Sequence, residues 1–181
     1  MTRRLLAVLA AGALAAAPAT THAQLRTSFS LAGGLAAPVG DLADRVDAGY
    51  NLAGAVNLAA PLMPIGIRLE LGYNGFNGRT SPIAYTDHRI VSGTVNATLA
   101  LGVTGASPYL IGGVGAYNRR YVAAAGTSSD RTAGGFNAGG GLRFPLGTVS
   151  TFIEARYHQM LGNTIDGTNY QFIPITVGVN F

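Results

Sequence analysis

The sequence predicts an all-β chain, an eight-stranded antiparallel up-and-down transmembrane β-barrel spanning residues 24–181. Three observations carry this reading. Apolar residues recur at every second position in eight separate segments, the period that sorts side chains onto the two faces of a strand. The connections between those segments alternate between short and long. An export signal precedes them, and no later stretch is long and apolar enough for a membrane helix.

The export signal occupies residues 1–23. Arg3 and Arg4 follow Met1, Leu5 to Ala17 is apolar apart from Gly12, and Thr21-His22-Ala23 offers a small-x-small cleavage site. The apolar run is too short to span a bilayer as a helix, which needs about 20 residues. Cleavage is therefore expected between Ala23 and Gln24. Cysteine is absent, which excludes disulfides and a lipoprotein anchor. Charged residues make up only 11% of the chain, too few for a disordered polyelectrolyte. All 12 basic residues are Arg, and removing Arg3 and Arg4 lowers the formal charge of +4 by two. No basic stripe with interleaved aromatics is present, so nucleic acid is not an expected partner.

The strands follow in order. The first is Leu25 to Ala36, with Leu25, Phe29, Leu31 and Leu35 opposite Arg26, Ser28 and Ser30. The second is Gly49 to Ala60, with Tyr50, Leu52, Val56 and Leu58 opposite Asn51, Ala53 and Asn57. The third, Ile65 to Asn77, alternates most cleanly: Ile65, Ile67, Leu69, Leu71 and Tyr73 against Gly66, Arg68, Glu70, Gly72 and Asn74. The fourth runs from about His88 to Gly102, with Val91, Val95, Leu99 and Leu101 opposite Ser92, Thr94, Asn96 and Thr98. In the fifth, Pro108 to Tyr121, Gly112, Gly113 and Gly115 leave the facing ambiguous. The sixth, Ala133 to Phe144, sets Phe136, Ala138, Leu142 and Phe144 against Asn137, Gly139 and Arg143. The seventh, Thr151 to Leu161, sets Ile153, Ala155 and Tyr157 against Glu154, Arg156 and His158. The eighth, Tyr170 to Phe181, carries Pro174, which lacks a ladder donor and predicts a bulged or frayed upper part.

Short connections are expected at Pro61 to Pro64, Val103 to Ser107 and Pro145 to Ser150. Longer, more polar ones are expected at Ala37 to Ala48, Gly78 to Asp87, Val122 to Thr132 and Gly162 to Asn169. Short periplasmic turns opposite long external loops mark membrane barrels. A soluble sandwich or lipocalin-like barrel shares the alternation, with its apolar face turned inward instead. The export signal, the even strand count, the loop asymmetry and Phe181 favour the membrane barrel. Closure follows from lipid, which offers no hydrogen-bond partner to an open sheet edge.

The chain resembles the small outer-membrane β-barrel proteins of the OmpA/OmpX-like class over essentially its full mature length. The matching pieces are Pro108-Tyr109-Leu110-Ile111-Gly112-Gly113-Val114-Gly115, Gly139-Gly140-Gly141-Leu142-Arg143-Phe144 and Ile173-Pro174-Ile175-Thr176-Val177-Gly178-Val179-Asn180-Phe181. The resemblance implies a location in the bacterial outer membrane and both termini in the periplasm. It also implies a monomer that meets the barrel assembly machinery through Val177, Val179 and Phe181. Its fold hosts adhesins, enzymes and structural proteins alike, so function must be read from residues.

Arg68, Glu70, Arg143, Glu154 and Arg156 all fall on polar faces, and closure would turn them inward. Buried charges need partners. An internal network of three Arg and two Glu, helped by Asn96 and Asn137, is expected to fill a lumen this narrow. His88 and His158 lack metal-ligand spacing and lack the Ser two residues away that lipid A-modifying barrel hydrolases carry. The Gly-rich runs lack the following helix of a nucleotide loop, and no cofactor is expected. Arg119 and Arg120 lie where the fifth strand should leave the membrane and are candidates for contact with lipopolysaccharide phosphates. The reading is a non-enzymatic barrel serving envelope integrity or surface interaction. The alternatives are a lipid-modifying enzyme and a soluble ligand-binding barrel.

Overall fold

The computed structural model describes residues 25–61, 63–78, 85–102, 105–123, 128–161 and 170–181. The expected signal segment, the cleavage site expected before Gln24, most of the connection expected at Gly78 to Asp87 and all of that expected at Gly162 to Asn169 lie outside the described residues. Eight strands close into one barrel: β1 (Arg26–Val39), β2 (Val46–Ala59), β3 (Ile65–Gly78), β4 (Tyr85–Ala100), β5 (Ser107–Ala123), β6 (Ser128–Leu146), β7 (Val149–Met160) and β8 (Gln171–Asn180). Every neighbouring pair is antiparallel, and β1 pairs with β8 to close the ring. Phe29 and Phe181 exchange both backbone hydrogen bonds at that seam, at 2.8 and 3.0 Å.

The period-two pattern governs facing. Leu31, Leu35, Leu52, Ile67, Leu71, Val95, Val114, Val177 and Phe181 lie on the outer wall, and Leu71 is 72% exposed. Ser30, Asn51, Arg68, Glu70, Asn96, Asn137, Glu154 and Thr176 are buried in the lumen. Apolar outside and polar inside inverts the layout of a soluble barrel and suits lipid as the surrounding solvent. The facing of β5 is now fixed. Tyr109, Ile111, Tyr117 and Arg119 point inward, while Leu110 and Val114 point outward.

Three expectations need correction. The polar stretches beside the fourth to sixth strands continue as strand. The β5–β6 ladder runs on to Val122↔Ser128, so most of the loop expected at Val122 to Thr132 is paired sheet. Polar Thr, Ser and Arg there extend the sheet beyond the apolar band, where water replaces lipid on the outer face. The connection expected at Ala37 to Ala48 is also shorter. β1 runs to Val39 and a 3-10 turn at Gly40–Leu42 folds Leu42 into the barrel mouth. Finally, Pro174 does not bulge β8, and it interrupts the pairing on the β7 side only. Its ladder to β1 is continuous through Ala36↔Pro174, and the ladder to β7 skips from Ala155↔Ile175 to His158↔Phe172 with no change of register.

Inward aromatics need room in so narrow a ring, and glycine on the next strand supplies it. Tyr109 is the register partner of Gly141, and a Cβ on Gly141 would stand 2.7 Å from the Tyr109 ring. Phe152 lies opposite Gly178 in the same way.

Candidate functional site

The lumen is built in two tiers. The middle tier comes from β3 and β7, which stand four strands apart in a ring of eight and so face each other across the interior. β3 contributes Arg68-x-Glu70 and β7 contributes Glu154-x-Arg156. The two strands run the same way, because each neighbour reverses direction. The charge order is inverted between them, so each cation meets an anion across the barrel.

Arg68 Nη1 donates to Glu154 Oε2 at 2.8 Å, and Arg156 Nη2 donates to Glu70 Oε1. Arg156 Nε reaches Glu154 Oε1 at 2.8 Å, and Arg68 Nη1 lies 3.9 Å from Glu70 Oε2. Tyr109 donates its hydroxyl to Glu154 Oε2 at 2.7 Å, and Arg68 Nε donates to Asn57 Oδ1 at 2.8 Å. The rings of Phe152 and Tyr109 flank the Arg68 guanidinium at 5.4 and 5.9 Å. Two Arg and two Glu cancel in charge, which is what a buried network requires. Asn137 donates to Asn96 at 2.8 Å, and Asn96 in turn donates to the Arg68 carbonyl at 3.3 Å. These amides therefore brace the backbone under Arg68 and do not touch the carboxylates in this arrangement.

Arg143 departs from the expected grouping. It lies half-buried near the end of β6, its guanidinium 5.3 Å from the centre of the Tyr109 ring, and no carboxylate pairs with it among the described residues. It occupies the expected face two residues nearer the strand end than Gly141, the register partner of Glu154, and its guanidinium lies over the ring whose hydroxyl binds Glu154.

The second tier, towards the β1–β2 connection, is apolar and aromatic. Leu42, Val46, Phe76, Ile90, Tyr117, Met160, Tyr170 and Phe172 form one buried cluster. His158 stacks on Phe172 at 4.9 Å, and its Nδ1 lies 3.0 Å from the Tyr117 hydroxyl. His88 stacks on Tyr170 at 5.8 Å. Sequence reasoning assigns the interior to polar residues and misses this plug. The signal is present in part, since Ile90, Tyr117 and Phe172 share parity with Ser92, Arg119 and Thr176 on their own strands.

Arg119 and Arg120 do not form a pair. Alternation sends them to opposite faces. Arg119 is 2% exposed inside the barrel, its guanidinium 4.2 Å over the Tyr170 ring. Arg120 faces outward, with Nε 3.9 Å from Asp130 Oδ2. At the seam, the Phe181 ring stacks on Phe29 at 6.3 Å, and Val177 and Val179 lie beside it on the outer wall. No group of three His, Cys, Asp or Glu residues able to hold a metal occurs among the described residues. No helix among the described residues is long and apolar enough to cross a membrane.

A closed barrel with a greasy wall and a lumen crossed by a charge-balanced Arg–Glu network defines a membrane-spanning β-barrel protein. The chain belongs to the outer membrane protein β-barrel domain family, whose model matches residues 5–181, and its place is the bacterial outer membrane. Among solved structures it is similar to Neisserial surface protein A, at 14% identity and TM-score 0.64, covering 85% of this chain and 95% of that one. It is also similar to the N-terminal β-barrel domain of Pseudomonas aeruginosa OprF, at 15% identity and TM-score 0.53, covering 87% and 100%. A major outer membrane protein from Thermus thermophilus aligns at 13% identity and TM-score 0.52, covering 86% and 98%. At these identities the likeness speaks for the fold. No curated protein sequence matches the chain.

Proposed function

We propose that this protein is a non-enzymatic, monomeric outer-membrane barrel that serves envelope integrity or surface interaction and does not conduct solutes. The observation that carries the reading is the filled interior. Arg68, Glu70, Glu154 and Arg156 bridge the lumen from wall to wall, and the Leu42–Tyr117–Phe172 cluster stacks above them. With transport closed off, the parts that remain available to partners are the outer wall and the rim. His88 and His158 support the non-enzymatic reading. They are turned into the lumen and packed against aromatic rings, whereas chemistry on membrane lipid needs its groups open to the outer wall. Two structurally similar proteins, a surface protein and an outer-membrane barrel domain, accord with such a role.

Planar-bilayer recording of the purified protein tests the proposal. The expected result is a membrane that stays closed. Steady porin-sized conductance would show a water-filled interior and replace the structural reading with a transport one.

A further inference from the structure

The outer wall carries a second cluster of charge that the interior does not use. Arg89 lies between His88 and Ile90, which are both buried in the lumen at 4% and 0% exposure, so alternation turns Arg89 outward. Its register partner across the β4–β5 ladder is Arg120, which also faces outward. Arg120 is in turn the register partner of Asp130 on β6, 3.9 Å from it. One step lower on the same face, Asn118 donates to Thr132 Oγ1 at 3.0 Å.

Two features of this patch are unusual. Like charges directly opposite on neighbouring strands repel and destabilise the sheet. Asp130 Oδ2 stands 3.9 Å from Arg120 Nε, too far for a hydrogen bond, so that contact does not use up the guanidinium's donors. In addition, Arg89 Nε is enclosed and has no hydrogen-bond partner. An enclosed donor without an acceptor is costly, and a ligand oxygen would repair it.

Height tells which ligand can arrive. Below Arg89, β4 turns Val91, Val95 and Leu99 outward, and below Arg120, β5 turns out Val114 and Leu110. About ten residues at the strand rise, tilted by about 40°, climb about 25 Å, the height of a barrel's apolar band. The two arginines therefore crown that band, at the level where lipid headgroups begin. Guanidinium forks match phosphate oxygens in geometry and bind them with charge-assisted bonds.

We propose that Arg89 and Arg120 form an outward-facing seat for the phosphate of an outer-leaflet membrane lipid. Asn118 and Thr132 offer polar contacts to the rest of the headgroup, and Asp130 competes with the phosphate for Arg120.

Native mass spectrometry can count lipid retained by the folded protein released from neutral-lipid nanodiscs. The probes are lipid A bearing its phosphates and the same lipid A with the phosphates removed. Wild type should retain the phosphorylated form preferentially. Arg89→Gln and Arg120→Gln should each lower that preference at least about fivefold, as loss of a charge-assisted bond requires. Arg26→Gln, at the opposite end of the barrel, should leave it intact. Asp130→Asn should raise retention, because it frees Arg120. Folding of each variant is checked by its mobility shift on boiling. Equal retention of both lipids by wild type, or unchanged preference in both arginine variants, would reduce the patch to an interfacial anchor and overturn the proposal. Full displacement by millimolar inorganic phosphate would reassign the seat to a soluble anion and overturn it equally.

Discussion

Glu154 is the residue on which the lumen turns. It accepts from Arg68, Arg156 and Tyr109 at once, and it is 2% exposed. Glu154→Gln keeps the shape but removes the charge, leaving two buried guanidiniums to share Glu70. Breaking a buried pair by removing one partner is destabilising by about 3–5 kcal/mol. The expected outcome is a fall of that size in unfolding free energy, read from urea titration in detergent with the boiling-sensitive gel shift as the probe. Unaltered stability would mean that the network adds little to the fold. Residue parity is legible from the sequence, and it places Arg68, Glu70, Glu154 and Arg156 inside. The same rule, applied to Arg119 and Arg120, separates them. Treating two adjacent arginines as one site ignores the strand they stand on.

At the scale of elements, the inverted order of Arg68-x-Glu70 and Glu154-x-Arg156 is a matching code between strands that never touch in the sheet. Exchanging one side, Glu154→Arg with Arg156→Glu, would set Arg against Arg68 and Glu against Glu70. That variant should fold poorly. Adding Arg68→Glu and Glu70→Arg should restore folding, because the complement returns. Failure of the four-residue variant to recover would show that the surrounding Asn57 and Tyr109 fix the polarity instead. The seam offers another test. Phe181 holds Phe29 by two backbone bonds and a ring contact, so deleting Phe181 should lower the amount of folded barrel in the envelope more than it lowers synthesis. Quantitative blotting of envelope and total fractions checks this. Strand number and central facing are readable because lipid enforces alternation there. Strand ends are not. Above the apolar band both faces are wet, so Ser128 to Thr132 carries no hydrophobic signal although it is paired sheet.

For the whole molecule, closure is the event that every part depends on. The Arg–Glu ties link residues 86 apart in sequence, and they can form only when β3 and β7 are held across a complete ring. An open sheet would leave those charges unpaired and its edges without hydrogen-bond partners in lipid, so partly closed forms have little to stabilise them. That dependence explains why the aromatic plug escapes sequence reading while the barrel does not. The ring is dictated by local alternation, repeated eight times. The plug depends on which inward side chains reach the same level, and that level is set by the register of all the ladders together.

The seam between β1 and β8 has a topological consequence. Ser30 and Asn180 are register partners 150 residues apart, with side chains 2.6 Å from one another. They follow the doubly bonded Phe29–Phe181 pair, so they occupy the close, non-hydrogen-bonded position of the ladder, whose Cα spacing of about 4.5 Å falls within disulfide range. The chain has no cysteine of its own, so Ser30→Cys with Asn180→Cys would form a bond without competition. That bond would turn a linear polymer into a near-complete loop before it ever folds. For a loop this long, the lost freedom of the unfolded chain corresponds to about 5 kcal/mol. The oxidised variant should therefore refold from urea at a higher denaturant concentration than its reduced form. No difference between the two would mean that the unfolded chain already keeps its ends together.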